Sequence, residues 1–397
     1  MDLDLVFLGT SASMPTARRA PAALLLRRGG ERLLFDCAEG TQRQLQRSVV
    51  GLPELEEIFL THLHADHVLG LPGMLKTFAL RGREGPRLTV HGPRGTKDLF
   101  ARLKPFLGRL PYPLAVVELA PGDVLDRGDY RIEPFAVEHG VSAIGYALVE
   151  EERPGRFDVN AATALGVPAG PERGMLQNGD PVTLADGRVI TPDAVLGPAR
   201  AGRKVAITGD TAPSPAVIQA AYRADVLVHE ATFGEDESER ARETMHATAV
   251  EAAQVATLAE VRLLALTHVS PRYVGPELAR QARRIFEATV VPRDFDVVEV
   301  RFPERGAPQL LERAGAAARG RSYHPDAMAR MIQVATAGDV TEAEELQELL
   351  RNAGIEAEVE GIDTEDGLSV LVPEGELEAA QDAIEALSEP DDIIAEP

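Results

Sequence analysis

The sequence predicts a large α/β domain, with a sheet core covered by helices, followed by a small βαββα domain. In the first half, short apolar runs bounded by glycine and proline alternate with helical stretches. After Leu311 the composition changes to an Ala/Gly/Arg segment and then to a compact strand and helix pattern. The length of 397 residues also exceeds what a single core usually serves, so two domains are expected.

The first domain is predicted to span residues 1–313. Apolar runs at 3–8, 23–26, 33–35 and 58–60 are its first strand candidates. The stretch 150–202 then breaks the pattern with repeated proline and glycine, which is typical of an arm that projects from a core. Alternation of Val182, Leu184, Val189 and Ile190 favours short strands in this arm over a disordered loop.

A linker is predicted at 314–330 and a small acidic α/β domain at 331–397. Strands are expected at 331–335, 355–359 and 368–372, and helices at 341–353 and 374–387. Thr341 is the expected N-cap of the first helix, and Gly354 marks its end. This domain has no titratable cluster that resembles a catalytic site, so binding, regulation and a solubilising role all stay open.

Composition and charge limit the class of protein. The acidic start and the lack of an apolar run near 18 residues speak against a secretory signal and a membrane span. The single cysteine, Cys37, cannot form an intramolecular disulfide, so a reducing cytoplasm is the simplest location.

The net charge of −22 argues at first against a nucleic-acid partner, because phosphates repel acidic proteins. However, residues 331–397 hold 20 acidic side chains against one basic residue, Arg351, which leaves only −3 on residues 1–330. Within these, 76–109 has nine basic residues against two acidic ones, a local charge of +7 that suits phosphates.

The strongest chemical signal is the segment 61–67, Thr-His-Leu-His-Ala-Asp-His, directly after a predicted strand. Three imidazoles and a carboxylate rarely crowd together in a core or on a surface, because buried histidines need partners and charged ones repel. Metal coordination removes both objections, and imidazole and carboxylate are ligands that zinc prefers. The spacing of His62, His64, Asp66 and His67 can direct two pairs of ligands at two neighbouring ions.

Other candidate ligands follow predicted strands further along the chain. His139 follows the alternating run 132–137, Asp210 ends the run 205–211, and His268 ends the run 263–268. Sheet-based enzymes commonly place their sites at strand ends. Each residue alone would more often be an ordinary turn residue, and only the cluster at 61–67 makes them candidates.

This combination of motifs resembles the metallo-β-lactamase fold hydrolases and, among them, the ribonuclease Z family, which trims the 3′ end of precursor tRNA. The resemblance covers about residues 1–313. The segments that carry it, besides the histidine motif and its downstream partners, are 7–12, 35–45, 60–70, 229–233, 246–248 and 266–273.

The resemblance implies an αββα sandwich that holds two zinc ions per subunit. By position, His62, His64 and His139 would bind one ion, Asp66, His67 and His268 the other, and Asp210 would bridge them. Asp66 would also orient or deprotonate the nucleophile. His246 with Glu230 would protonate the leaving oxygen, or, as an alternative for Glu230, would hold loops in place.

The resemblance also implies a tRNA-binding role for the arm at 150–202. Gln177 stands where the family often has lysine, and Arg173 is the basic residue nearby. It further implies precursor tRNA as partner and a homodimer in which one arm serves the other subunit's site. Together with the composition, we therefore expect a cytoplasmic homodimer with no membrane partner.

Other functions remain possible for such a chain. These are a small-molecule phosphodiesterase or lactonase on the same fold, and a non-catalytic metal-bound adaptor. Separately, the second domain resembles a small family described only as signal-transducing, through the segments 331–332, 343–346, 350–355 and 370–373.

Overall fold

The structure, a computed structural model, forms two compact units, Met1–Glu312 and Arg313–Pro397. The predicted domain boundaries at 313/314 and 330/331 stay predictions. The residues that the structure describes are 2–48, 50–52, 55–311, 331–337, 342–343, 346–347, 350–351, 355, 357–360, 368–373 and 380.

The first unit contains seventeen strands within its described residues. They are β1 (Leu3–Gly9), β2 (Ala23–Arg28), β3 (Glu31–Phe35), β4 (Glu57–Phe59), β5 (Leu88–Gly92), β6 (Leu114–Glu118), β7 (Leu125–Asp126), β8 (Tyr130–Ala136), β9 (Ile144–Glu150), β10 (Val182–Thr183), β11 (Val189–Ile190), β12 (Lys204–Ile207), β13 (Val226–Glu230), β14 (Leu263–Thr267), β15 (Thr289–Val290), β16 (Val297–Glu299) and β17 (Gln309–Leu311).

The helices of this unit lie mostly between strands. They are α1 (Thr41–Arg47), α2 (Ala65–Val68), α3 (Gly70–Leu80), α4 (Thr96–Leu107), α5 (Val159–Ala164), α6 (Pro171–Gln177), α7 (Pro215–Ala221), α8 (Ser238–Glu243), α9 (Ala249–Leu258) and α10 (Gly275–Arg283), with 3-10 turns at Pro192–Ala194, Glu235–Glu237 and Pro303–Arg305.

Two large sheets form the body of the unit. One has eight strands in the order β17-β16-β1-β2-β3-β4-β5-β6, and the other has seven in the order β15-β14-β13-β12-β9-β8-β7. In β1, Leu5 and Phe7 belong to the core between the sheets, and Val6 and Leu8 face the helical side. This alternation is what a strand covered on both faces requires.

Helices cover the outer face of each sheet. One core cluster joins the eight-stranded sheet to residues of α1, α3 and α4, and another joins the seven-stranded sheet to α7, α9 and α10. Together with the core between the sheets, these layers form an αββα sandwich. The four strands predicted in the first 60 residues are confirmed, each within two residues of its predicted ends.

The arm at 150–202 is ordered and has its own small core. Helices α5 and α6 pack with the β10–β11 hairpin, in which Val182 pairs with Ile190. The predicted short strands are therefore confirmed, whereas the two helices escaped sequence reasoning. The core residues of the arm are Ala162, Val167, Leu176, Val182, Ile190 and Val195.

Ionic and aromatic contacts fix the root of the arm. The buried Glu150 carboxylate binds Arg203 (Nη2 to Oε1, 2.7 Å) and Arg28 (Nε to Oε1, 2.9 Å). The guanidinium groups of Arg153 and Arg203 lie 3.5 and 4.0 Å from the ring centre of Phe302. The root is thus attached to the last strands of the same unit.

In the second unit, three antiparallel strands form one sheet. They are β18 (Met331–Ala337), β19 (Glu358–Glu360) and β20 (Leu368–Pro373), in the order β18-β20-β19. The described residues within 341–353 are helical, while Thr341, Gly354 and nearly all of the predicted helix at 374–387 lie outside the described residues. No helix in the described part of the chain has the length and apolar character needed to cross a membrane.

Candidate metal centre

The predicted site residues meet at one edge of the sandwich. His62 follows β4, His139 follows β8, Asp210 follows β12, and His268 comes directly after β14. Strands β12, β13 and β14 run parallel, so their carboxyl ends share this edge. Ends of parallel strands are where sheet enzymes place their ligand-binding side chains.

One group of possible ligands consists of three imidazoles. His62 Nε2 lies 3.0 Å from His64 Nδ1, and His139 Nε2 lies 3.2 Å from the same atom. His62 is fully buried, and His64 is exposed, so the group opens to solvent on the His64 side. Three nitrogens that converge in this way can coordinate one cation.

A second group consists of Asp66, His67 and His268. His268 Nε2 lies 3.3 Å from Asp66 Oδ2, and His67 Nε2 lies 3.8 Å from the same oxygen. Asp210 lies between the two groups, since its Oδ2 is 3.7 Å from His62 Nε2 and its Oδ1 is 3.5 Å from His67 Nε2. The structure therefore brings all seven predicted ligands together.

A cation fits the chemistry of these groups. Among the described residues, His67 Nε2 and Asp210 Oδ1 are buried without a hydrogen-bond partner, which is costly unless a ligand satisfies them. Burial and the neighbouring His67 lower the pKa of His62 to about 2, which keeps its imidazole in the neutral form that binds metals.

The pKa of His67 shifts in the opposite direction to that of His62. Burial lowers the pKa of His67, but the carboxylates of Asp210 and Asp36 outweigh burial and raise it well above the ordinary value. The same two carboxylates that favour a proton on this ring would favour a bound cation in its place.

Glu230 and His246 form a pair beside the metal-binding groups. His246 Nδ1 donates to Glu230 Oε1 at 2.8 Å. Burial lowers the pKa of His246, but the Glu230 carboxylate raises it overall to about 9. His246 also belongs with Asp210 and His268 to a further group of three possible ligands, and its Nδ1 lies 3.9 Å from Asp210 Oδ2.

A family model described as the metallo-beta-lactamase superfamily matches residues 17–154. The ribonuclease Z of Gemmatimonas aurantiaca is 46% identical over 309 residues, which make up 77% of this chain and 98% of that relative. The ribonuclease Z of Myxococcus xanthus is 47% identical over 307 residues, 76% of this chain and 99% of the relative. This chain belongs to the ribonuclease Z family.

Solved structures agree with this assignment. Human tRNase Z, short form, is 26% identical and superimposes with a TM-score of 0.56, covering 75% of this chain and 99% of its own. The metallo-β-lactamase fold predicted from the sequence is confirmed. Membership of the family makes the chain a hydrolase, and the fold implies that the His/Asp groups bind metal.

Sequence reasoning missed the residues that orient the ligands. His67 Nδ1 donates to Asp36 Oδ2 at 2.8 Å, and His139 Nδ1 donates to the Met245 carbonyl at 3.2 Å. The backbone N–H of Ser13 donates to Asp66 Oδ2 at 2.9 Å. The signal available for Asp36 was a carboxylate directly after a buried strand, within a segment already noted for its resemblance.

The backbone of this site is strained. Asp36, Met245 and His268 have φ angles of 57°, 57° and 55°, in the left-handed region that side chains other than glycine rarely adopt. Each such residue costs of order 1–3 kcal/mol, which the surrounding packing must supply. The strain falls on residues that orient the predicted ligands or are predicted ligands themselves.

The arm offers less positive charge than its predicted role suggests. Residues 150–202 hold eight acidic and five basic side chains. The guanidinium of Arg173 is engaged inside the arm, where its Nη2 donates to the Val167 carbonyl and to Thr163 Oγ1. Arg188 pairs with Asp186. Arg156 is the exposed arginine of the arm for which the structure shows no side-chain partner.

Proposed function

We propose that the chain is a zinc-dependent endoribonuclease that removes the 3′ trailer from precursor tRNA and leaves a 3′-hydroxyl on the tRNA. The observation that carries this proposal is the convergence of the two ligand groups on Asp210, with the Glu230–His246 pair alongside. Membership of the ribonuclease Z family supports the choice of substrate.

The proposed ligands would divide between two zinc ions. His62, His64 and His139 would hold one ion, Asp66, His67 and His268 would hold the other, and Asp210, which lies between the two groups, would serve both. When bound, such a pair supplies a hydroxide at neutral pH and stabilises the negative charge that develops on the phosphate.

Asp66 orients the nucleophilic water and accepts its proton. The Ser13 N–H and His268 Nε2 both contact Oδ2 of Asp66, which leaves Oδ1 for the water. Burial raises the pKa of Asp66, but His268 and His67 lower it below the ordinary value, so the carboxylate is ionised and can accept a hydrogen bond.

His246 donates the proton that the leaving 3′-oxygen needs. With Nδ1 fixed by Glu230, a protonated ring presents Nε2–H to the substrate. A pKa of about 9 keeps His246 protonated at neutral pH, as a general acid requires. Glu230 also accepts from the backbone N–H groups of Thr211 and Ala247, so it holds loops in place as well.

The test is cleavage of a precursor tRNA with a 3′ trailer, with and without a chelator, followed by mapping of both ends. We expect one cut that yields a 3′-hydroxyl tRNA, lost on chelation and restored by Zn²⁺. Asp66→Ala should reduce turnover by orders of magnitude and leave tRNA binding intact. Absence of cleavage by the zinc-loaded protein, together with turnover of a small phosphodiester or lactone, would favour the small-molecule alternative.

The arm is proposed to bind the tRNA away from the cleavage site. Replacing residues 158–195 with a short glycine linker keeps the bridge between Arg153 and Arg200 at its root. This variant should lose precursor tRNA cleavage and retain hydrolysis of bis(p-nitrophenyl) phosphate. Equal loss of both activities would contradict a substrate-binding role for the arm.

A homodimer in the cytoplasm is proposed as the working form. If one arm serves the partner's site, mixing arm-deleted subunits with Asp66→Ala subunits should restore part of the tRNA cleavage that neither shows alone. Sedimentation of the intact protein tests the dimer itself. Cys37 is fully buried, and burial raises the pKa of its thiol to about 12. A buried thiol without a disulfide partner is consistent with a reducing compartment.

A further inference from the structure

Each of the two large sheets contributes a buried carboxylate that lies beside the proposed ligands without being one of them. Asp36, just after β3, accepts from the backbone N–H of Thr61 (2.8 Å), from Thr61 Oγ1 (2.9 Å to Oδ2) and from His67 Nδ1 (2.8 Å). All of these partners donate to Asp36, so its two oxygens act only as acceptors.

Glu230, at the end of β13, has the same arrangement on the other sheet. It accepts from Thr232 Oγ1 (2.6 Å), His246 Nδ1 (2.8 Å) and the backbone N–H of Thr211 (2.8 Å). With these donors around them, the oxygens of Glu230 act as acceptors, as those of Asp36 do. Each carboxylate therefore contacts one histidine directly and one threonine hydroxyl.

Both threonine hydroxyls also touch a second histidine. Thr61 Oγ1 lies 3.1 Å from His62 Nδ1, and Thr232 Oγ1 lies 2.9 Å from His268 Nδ1. A hydroxyl has one proton, and here it must point at the carboxylate, so the hydroxyl oxygen accepts from the imidazole. Nδ1 of each ring therefore carries the hydrogen, and Nε2 of the neutral ring keeps its lone pair.

We propose that Thr61 and Thr232 are positioning residues. Each hydroxyl donates to a buried carboxylate, Asp36 or Glu230, and accepts from a proposed metal-binding histidine, and it thereby fixes the tautomer and orientation of that histidine. The inference rests on the proposed metal-binding role of His62 and His268. Thr61 orients His62 and Thr232 orients His268. These two histidines belong to different ligand groups, so each threonine would affect the binding of a different ion. Without the hydroxyl, either ring is free to turn or to place its hydrogen on Nε2, where it blocks coordination.

The surroundings of Thr61 support this role. A Cβ on Gly209 would lie 2.6 Å from Thr61 Cβ and 2.7 Å from its Oγ1, closer than real side chains approach. The Thr61 side chain therefore packs directly against Gly209, where a residue with a side chain would displace it. Thr61 and Thr232 are 1% and 5% exposed, so water has little access to replace their hydroxyls.

The arrangement also connects the proposed general acid with a proposed metal ligand. Glu230 holds His246 directly and His268 through Thr232, so one carboxylate orients both the proposed acid and a metal ligand. Loss of the Thr232 hydroxyl should therefore affect metal binding while the Glu230–His246 contact persists.

The test uses valine, which keeps the shape of threonine and removes its hydroxyl. We expect Thr232→Val and Thr61→Val each to weaken one Zn²⁺ of the pair by about 10–100-fold in competition with a chelating dye, the range found for groups that orient metal ligands. Serine at either position should restore wild-type affinity, since it returns the hydroxyl. The absorption of Co²⁺-substituted protein should change with valine and recover with serine.

Thr96→Val is the matched control, because Thr96 is fully buried and its hydroxyl donates to the Pro93 carbonyl, remote in sequence from the site. This variant should bind two ions normally. Thermal unfolding of each metal-free variant shows that it folds. The proposal is overturned if both valine variants bind Zn²⁺ like the wild type, or if serine is as weak as valine. Failure of the wild type to bind Zn²⁺ would refute the proposed function as well.

Discussion

Replacing Gly209 with alanine tests how closely the site is packed. Gly209 has a φ of 64°, and an added Cβ would meet three atoms of the Thr61 side chain at 2.6–2.8 Å. The left-handed backbone costs a residue with a side chain about 1–2 kcal/mol. Displacing a buried neighbour costs about 1–3 kcal/mol more, as in other overpacked cores. We expect Gly209→Ala to lower the free energy of unfolding by about 2–5 kcal/mol.

The second effect of Gly209→Ala is on metal affinity. The overlap is relieved by a shift of Thr61, which moves its hydroxyl away from Asp36 and His62, or by a shift of the Gly209 backbone, which moves the neighbouring Asp210. Either shift disturbs a proposed ligand, so a Zn²⁺ ion bound by His62 should bind about 10–100-fold more weakly. Both effects are measurable in the full chain, by urea unfolding of the metal-free protein and by dye competition for Zn²⁺.

Gly85→Ala is the control for this substitution. A Cβ at Gly85 meets nothing within 4 Å, and its φ is not left-handed, so neither stability nor metal affinity should fall. An unchanged unfolding midpoint for Gly209→Ala would refute the packing argument. A loss of stability with unchanged Zn²⁺ affinity would instead refute the role assigned to Thr61.

Two further predictions concern carboxylates away from the predicted metal ligands. Glu150→Ala leaves the buried guanidinium of Arg203 without its carboxylate and removes one of the carboxylate partners of Arg28, so it should cost about 3–5 kcal/mol of unfolding free energy. It should also expose the arm to limited proteolysis, whereas Glu152→Ala, at an exposed position, should do neither. Burial raises the pKa of Asp294 from 3.8 to about 6, so its ionisation destabilises the fold: the unfolding free energy should fall by about 2 kcal/mol as pH rises from 4 to 6. Asp294→Asn should flatten that slope in urea titrations at several pH values, and an unchanged slope would assign it to another group.

The sequence was most informative where a chemical pattern was dense. Three histidines and an aspartate within six residues predicted a metal site, and the ends of later strands supplied the partners His139, Asp210 and His268. The structure brings these residues together because strand ends gather at one edge of a sheet, so a residue's place after a strand largely determines its place in the fold. The roles of these residues as ligands stay predictions until metal is bound.

The supporting residues could not be predicted in the same way. The left-handed backbone at Asp36, Met245 and His268 is imposed by tertiary packing, since nothing local in these residue types favours it. The Met245 carbonyl that orients His139 is a main-chain group, which every residue has and no motif can reveal. In the arm, Arg173 is the basic residue near Gln177, but its guanidinium donates to the Val167 carbonyl and the Thr163 hydroxyl inside the arm.

The attachment of the arm to Phe302 has a consequence for the order in which the protein can assemble during translation. Arg203 leaves the ribosome about 100 residues before Phe302, which is of order 5–20 s at ordinary rates of synthesis. Strand β1 is synthesised earlier still, and one of its edges stays unpaired until Val298, the partner of Leu5, has left the ribosome. The nascent catalytic unit therefore exposes an open sheet edge and an unanchored arm until its last strands emerge. The residues of Arg313–Pro397 are synthesised after that, so the ribosome still holds the chain while the unit closes.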